Sequence, residues 1–286
     1  MTVVLMTDHP AWTRPPAGTD PERVLLFNNG VWRLRFDGRE VLSTLLTAPW
    51  ENDCRPDAPT AIPVFRIPAA RLPTTLPEPA RAALEGIEAV VRVPNPSLWD
   101  ALTAAFIRTN AADEAAARQL YGRWCACFGA LPVMDGTTVG CTPPPAVVVH
   151  LTARHAEAVG LEQLRPRLRV AAETFLQSAG ALARLPGDAL VAALVRQTGL
   201  PRQAAALAAA DFIGDFGLHP INDVLHRAAV RLLVDRSWPE EPRAFARRWR
   251  ALAATERELS ALTLFVLAHA TLGSEAAPCA PAPHPP

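Results

Sequence analysis

Apolar residues along this chain recur with two different periods. Segments 24–27, 31–36 and 40–46 are rich in β-branched and aromatic residues, and the breaks between them are Asn28-Asn29-Gly30 and Asp37-Gly38. Such breaks suit hairpins that need positive φ. In the middle segment Trp32, Leu34 and Phe36 alternate with Arg33 and Arg35, which predicts one packed and one solvent-facing side. A small antiparallel sheet is expected there. Residues 49–79 are proline-rich, so an irregular connector is expected, with one edge strand at 64–67.

Beyond Pro96 the apolar spacing becomes helical. Ser97 is placed to cap a helix carrying Leu98, Trp99, Leu102, Phe106 and Ile107, and Asp113 to cap a second that runs to about residue 128. Further helices are predicted over 154–159, 161–178, 188–197, 203–213, 223–234, 243–254 and 258–272, with a disordered proline-rich tail at 273–286. The fold class is therefore α+β, mainly α. Three parts are expected: a β-containing module with its connector at 1–90, a helical core at 91–272, and the tail.

Half of the residues are hydrophobic, enough for a sizeable core, and 28 basic residues balance 28 acidic ones. The chain as a whole lacks the basic field common among nucleic-acid binders. Residues 153–257 hold fifteen arginines against eleven acids, a weak local excess that a solvated helical surface also explains. All 28 basic residues are arginine. Lysine Schiff-base chemistry is thereby excluded, because arginine stays protonated. Five cysteines show no C-x-x-C pair and no framework spacing, and Cys125 and Cys127 point to different faces of one helix. Reduced thiols in a cytoplasm are expected, and neither a metal nor another cofactor. No apolar run is long enough for a membrane span.

Two places stand out for chemistry. Gly199-Leu200-Pro201-Arg202 lies between an amphipathic and an alanine-rich helix. A turn of that kind can offer backbone N–H groups to a phosphate, or can be an ordinary glycine-capped connection. Pro201 removes one amide donor. The other is Asp223 at the start of a helix, where a carboxylate lies at the positive end of the helix dipole. It is either a plain N-cap or, if Asn222 caps instead, an acid free to stabilise positive charge in a cleft. His150, His155, His219, His226 and His269 form no metal-ligand pattern, and Phe212 and Phe216 have the spacing of a core stripe. Trp249 suits either packing or stacking on a base.

In combination these residues resemble the helix-hairpin-helix base-excision DNA glycosylases, and within them the bacterial 3-methyladenine DNA glycosylase II branch. The likeness spans about residues 20–272. It rests on the Pro96-Ser97-Leu98-Trp99-Asp100-Ala101-Leu102 and Ala115–Tyr121 stretches, on 161–177 ahead of the hairpin near 188–213, and on Arg247-Arg248-Trp249-Arg250 with Leu262-Thr263-Leu264-Phe265. The resemblance implies a bilobal helical glycosylase core with an N-terminal antiparallel sheet. Asp223 matches the catalytic aspartate, with Asn222 as the alternative under a one-residue shift. Gly199, Leu200 and Arg202 match the DNA-binding hairpin, and Gln203 stands where relatives carry an aromatic residue or a lysine. Asn110 and Ala111 replace a glutamine pair, so Asn110, Asn222 and Trp249 are the expected base-pocket or lesion region.

The implied activity is monofunctional hydrolysis of the N-glycosidic bond of a flipped, damaged and alkylated base. The partner is double-stranded DNA with a damaged base, bound by a cytoplasmic, nucleoid-associated monomer with no membrane contact. An inactive glycosylase-like protein that only binds lesions stays open as the alternative, as does a helical interaction protein that has left DNA.

Overall fold

The computed structural model describes residues 2–13, 20–28, 30–47, 61–233 and 238–275. Two of the five cysteines, Cys54 and Cys279, lie outside the described residues, as do Asn29, the connector at 48–60, Val234 and the tail from residue 276 on. The chain forms two compact units, and it enters each more than once. The larger contains residues 7–66 and 91–220; the smaller contains 1–6, 67–90 and 221–286. This interleaved division differs from the linear one drawn from the pattern, since 221–272 groups with the chain's start and with 67–90.

In the larger unit, strands β2 (Glu22–Phe27), β3 (Gly30–Phe36) and β4 (Val41–Thr47) form the expected antiparallel meander; β1 (Thr2–Leu5) precedes them in the smaller unit. Asn28 takes the positive φ that the first tight turn needs, and Gly38 does so at the second. Leu34 and Phe36 are buried and Arg35 is exposed, as alternation predicts. The pattern breaks at Val31, which is buried beside a register shift in the β3–β4 pairing. Val31 packs with Leu46, Val133 and Cys141, the last two from around a hairpin missed by pattern, β7 (Ala130–Pro132) with β8 (Thr138–Gly140).

The edge strand expected at 64–67 is β5 (Phe65–Pro68), which joins β1 and β6 (Ile87–Arg92) in a second sheet of order β1–β6–β5. Helix α1 (Glu78–Leu84) lies inside and just after the proline-rich stretch; Pro79 stands in its first turn, where a missing N–H costs nothing.

The helical core of the larger unit begins with α2 (Leu98–Asn110) and α3 (Glu114–Phe128), capped by Ser97 and Asp113 as expected. There follow α4 (Pro145–Val149), α5 (Ala153–Val159), α6 (Arg165–Leu182), α7 (Gly187–Thr198) and α8 (Arg202–Ile213). α8 sits deepest. Its residues Ala204–Ala210 are all buried against α2 and α7, because side chains of one carbon let helix axes approach closely. The smaller unit carries α9 (Asp223–Leu233), α10 (Pro242–Arg250) and α11 (Glu256–Glu275). No described helix is long and apolar enough to cross a membrane.

Candidate active site

The turn between α7 and α8 has hairpin geometry. Gly199 takes φ +67° and its N–H closes α7 on the Val195 carbonyl at 3.1 Å, a left-handed position that favours glycine. Leu200 is 2% exposed and anchors the turn. Pro201 occupies the residue before α8, and no side chain caps that helix. Ala205 N–H is the first to find a carbonyl, that of Pro201, so the amides of Arg202, Gln203 and Ala204 form the uncapped first turn. Proline at that position has no N–H, so the turn offers three free amides instead of four. Gly199, Arg202 and Gln203 are exposed, and nothing lies within 4 Å of where a Gly199 Cβ would stand.

In the smaller unit Asn222 and Asp223 divide the labour that the sequence left open. Asn222 Oδ1 accepts from Val224 and Leu225 N–H, each at 3.2 Å, and its carbonyl accepts from His226 N–H at 2.9 Å. Asn222 is therefore the cap. Asp223 is exposed and its carboxylate has no partner among the described residues. A charge at a helix start, relieved of capping by its neighbour, is what a stabilising or water-orienting acid needs.

Trp249 requires a correction. It is 1% exposed, its indole N–H donates to Thr263 Oγ1 at 3.1 Å, and its ring packs against Trp238 and Phe245. It is a core residue of the smaller unit, with no free face to stack on a base. The arginines around it are on the outer side of α10, where Arg243, Arg247 and Arg250 are exposed. Asn110 ends α2 exposed, its amide donating to Phe106 O at 2.8 Å and Thr109 Oγ1 at 3.3 Å.

Pattern reasoning missed the most polar place in the larger unit. Asp100, in the first turn of α2, accepts on Oδ2 from Asn95 (3.0 Å) and Arg23 (3.4 Å), and on Oδ1 from Tyr121 and Thr142. Asp211, near the end of α8, pairs with Arg92 at 2.8 Å and accepts from the same Asn95 amide at 3.0 Å. His9 lies between the two acids, 3.5 Å from Asp100 and 4.0 Å from Asp211. Its Nδ1 accepts from Ala11 N–H, so Nε2 carries the proton that faces them. Burial by itself would raise the Asp100 pKa; the charges of His9 and Arg23 and the hydrogen bonds of His9 and Thr142 outweigh it and hold the group far below the usual carboxylate range. Asp8 is lowered likewise, its burial outweighed by Arg92 and Arg108. His219, stacked on Phe216, is pushed down to about 4 by burial and by Arg108.

The signal was present: Asp100 and Asp211 are single charges inside otherwise apolar runs. Each is saturated with partners, which makes this cluster a structural brace. No group of three His, Cys, Asp or Glu among the described residues could hold a metal ion.

No protein-family model and no curated protein matches the sequence. Solved structures do match in shape. An 8-oxoguanine glycosylase/lyase from Clostridium acetobutylicum superposes with a TM-score of 0.64 at 11% identity, over 91% of this chain and 90% of that one. MBOgg1, solved with a low-affinity DNA ligand, gives 0.67 at 12% identity over 93% and 90%. The 3-methyladenine DNA-glycosylase of Archaeoglobus fulgidus gives 0.61 at 14% identity over 90% and 89%. The chain has the fold of the helix-hairpin-helix DNA glycosylases along nearly its whole length.

Proposed function

We propose that this protein is a DNA glycosylase which releases a damaged base from duplex DNA and leaves the strand uncut. The observation that carries the proposal is the pairing at the start of α9: Asn222 satisfies the helix amides, and Asp223 is left exposed with no partner among the described residues. In the proposed reaction the lesion is extruded from the helix and the Asp223 carboxylate stabilises the positive charge that builds on the deoxyribose as the base departs. The same carboxylate orients the attacking water. The uncapped first turn of α8, with Gly199, Leu200, Arg202 and Gln203, holds a backbone phosphate.

Two further features support a monofunctional enzyme acting on an alkylated base. The Clostridium structure is a glycosylase/lyase, whereas this chain has no lysine to form an imine with the sugar and carries Gln203 after the hairpin. A cationic alkylated base is already a good leaving group, so its release needs no strong general acid. The test is abasic-site formation on duplexes carrying alkylated and oxidised bases, with Asp223→Asn beside the native protein. Release by the native protein alone is the expected result. Lesion-selective binding without release by either protein would favour the reading of an inactive lesion binder, and equal release by both would remove Asp223 from the reaction.

A further inference from the structure

The larger unit contains a cavity of about 190 Å³ that the proposed glycosylase chemistry does not use. Asp100, Tyr121 and Thr142 form one pole of it, while Trp99 and strand β2 at Val24, Leu25 and Leu26 form its walls. It lies at the first turn of α2, whose thirteen residues put Asn110 roughly 18 Å away at the other end.

The polar pole has more acceptors than protons. The Tyr121 and Thr142 hydroxyls both reach Asp100 Oδ1, and they lie 2.7 Å from each other. Asp100 is ionised, and Tyr121 keeps its proton because burial and then the Asp100 charge raise its pKa well above the ordinary phenol value. Two hydroxyl protons thus serve three oxygen–oxygen contacts. However the hydroxyls turn, one contact has no proton and lone pairs on both hydroxyl oxygens stay unused.

The wall strand β2 lies at the edge of its sheet, and among the described residues no further strand pairs with it. Pro21 O accepts from Phe36 N–H at 3.0 Å, and in an antiparallel pair the bonded positions alternate, so Arg23, Leu25 and Phe27 face β3. The N–H and C=O groups of Glu22, Val24 and Leu26 point the other way. Glu22 is satisfied by a bridge to Thr13. Val24 and Leu26 both line the cavity, and these backbone groups have no partner among the described residues.

We propose that this cavity binds a small heteroaromatic ring carrying an amino or ring N–H group, the chemistry of a free nucleobase. The donor answers the surplus of acceptors at Tyr121 and Thr142, a second edge of the ring pairs with the alternating donors and acceptors of β2, and Trp99 covers its apolar body. The volume falls below the ~300 Å³ at which pockets for drug-sized ligands begin. A single or fused ring without a sugar is the proposed occupant. The site stands or falls independently of the role of Asp223.

Titration calorimetry on the full chain with adenine and with cytosine tests this, with adenosine as the sugar-bearing arm. Saturable binding of a free base is expected, weakened about ten-fold in Tyr121→Phe by the lost hydrogen bond and lost in Leu26→Trp, which fills the cavity from the half-buried β2 wall; adenosine should not bind. Thermal melts confirm that each variant is folded. Failure of both bases to saturate, unchanged affinity in folded Leu26→Trp, or adenosine binding as tightly as adenine would overturn the proposal.

Discussion

Asp100 and Asp223 occupy nearly the same local position in the chain and meet opposite fates. Each stands in the first turn of a helix behind a small polar residue that does the capping, Ser97 for α2 and Asn222 for α9. Each acid is thereby released from local hydrogen bonding. In the larger unit the released carboxylate turns into the core and collects Tyr121, Thr142, Asn95 and Arg23, with His9 close by. In the smaller unit it stays in solvent and collects none among the described residues. A helix start can therefore supply either a brace or an acid left to solvent, and burial decides which.

The sharpest way to break this contrast is to remove each charge and follow activity and stability together. Asp223→Asn is expected to lower base release by about a thousand-fold, the loss typical of one electrostatic stabiliser, while leaving Tm within about 2 °C. Asp100→Ala is expected to do the reverse through a loss of about 3–5 kcal/mol in chemical denaturation, because Arg23 and His9 would be left buried without their acid. A Tm drop of many degrees in Asp223→Asn, or an unchanged denaturation midpoint in Asp100→Ala, would mean that the two roles are assigned the wrong way round.

Acid titration sharpens the comparison next. His219 is pushed down to about 4 in the folded chain, against about 6.5 when unfolded. Between those values the unfolded state binds the proton and the folded state does not, so stability is full above about pH 6.5 and falls as pH drops toward 4. The whole effect is about 3 kcal/mol. Asp100 has its pKa lowered, so its contribution is present above the unfolded carboxylate range and is lost only at still lower pH. Denaturant midpoints measured from pH 7 to 4 should show the His219 slope, and His219→Gln should flatten it. An unaltered slope in that variant would place the titrating group elsewhere.

How much of this was legible in the sequence follows the range of each interaction. Caps and tight turns act over two to four residues, so Ser97, Asp113, Gly199 and the Asn28 turn were visible, along with most helices. Element α1 and strand β6 were hidden because the prolines ahead of them suppress any periodic signal. The brace was hidden for a different reason: Arg23 meets Asp100 across 77 residues and Arg92 meets Asp211 across 119. Nothing local announces such partners beyond a lone charge in an apolar run. Trp249 shows the converse error. The resemblance put it in the base-pocket region, yet only the positions flanking it on α10 are exposed, and helical spacing alone puts Phe245 and Trp249, four apart, on one inward face.

Asn222 offers a smaller but cleaner lever on the proposed site. Replacing it with alanine removes the side-chain oxygen that serves Val224 and Leu225 N–H, at a cost of about 1 kcal/mol. If Asp223 is reactive because its neighbour does the capping, the vacancy should draw the Asp223 carboxylate toward the same amides. Base release should then fall by more than the stability loss explains, and Asn222→Ser, which can cap again, should restore most of it. A variant that loses stability but keeps full activity would show that capping and chemistry are independent here.

The smallest expected effect belongs to the hairpin, and it separates phosphate contact from chemistry. Arg202 is exposed in the uncapped first turn of α8, so its side chain and the turn's amides would meet the same backbone phosphate. Removing one phosphate contact releases about one counterion fewer on binding, which lowers the slope of log affinity against log salt by about 1. Arg202→Ala should therefore weaken binding to lesion-bearing and undamaged duplexes alike, most at low salt, while single-turnover release from fully bound duplex stays near the native rate. A loss confined to the lesion duplex would move Arg202 into base recognition. An unchanged salt slope would leave the hairpin amides without their charged companion, and Pro201 would then mark a turn that has kept its shape after giving up its phosphate.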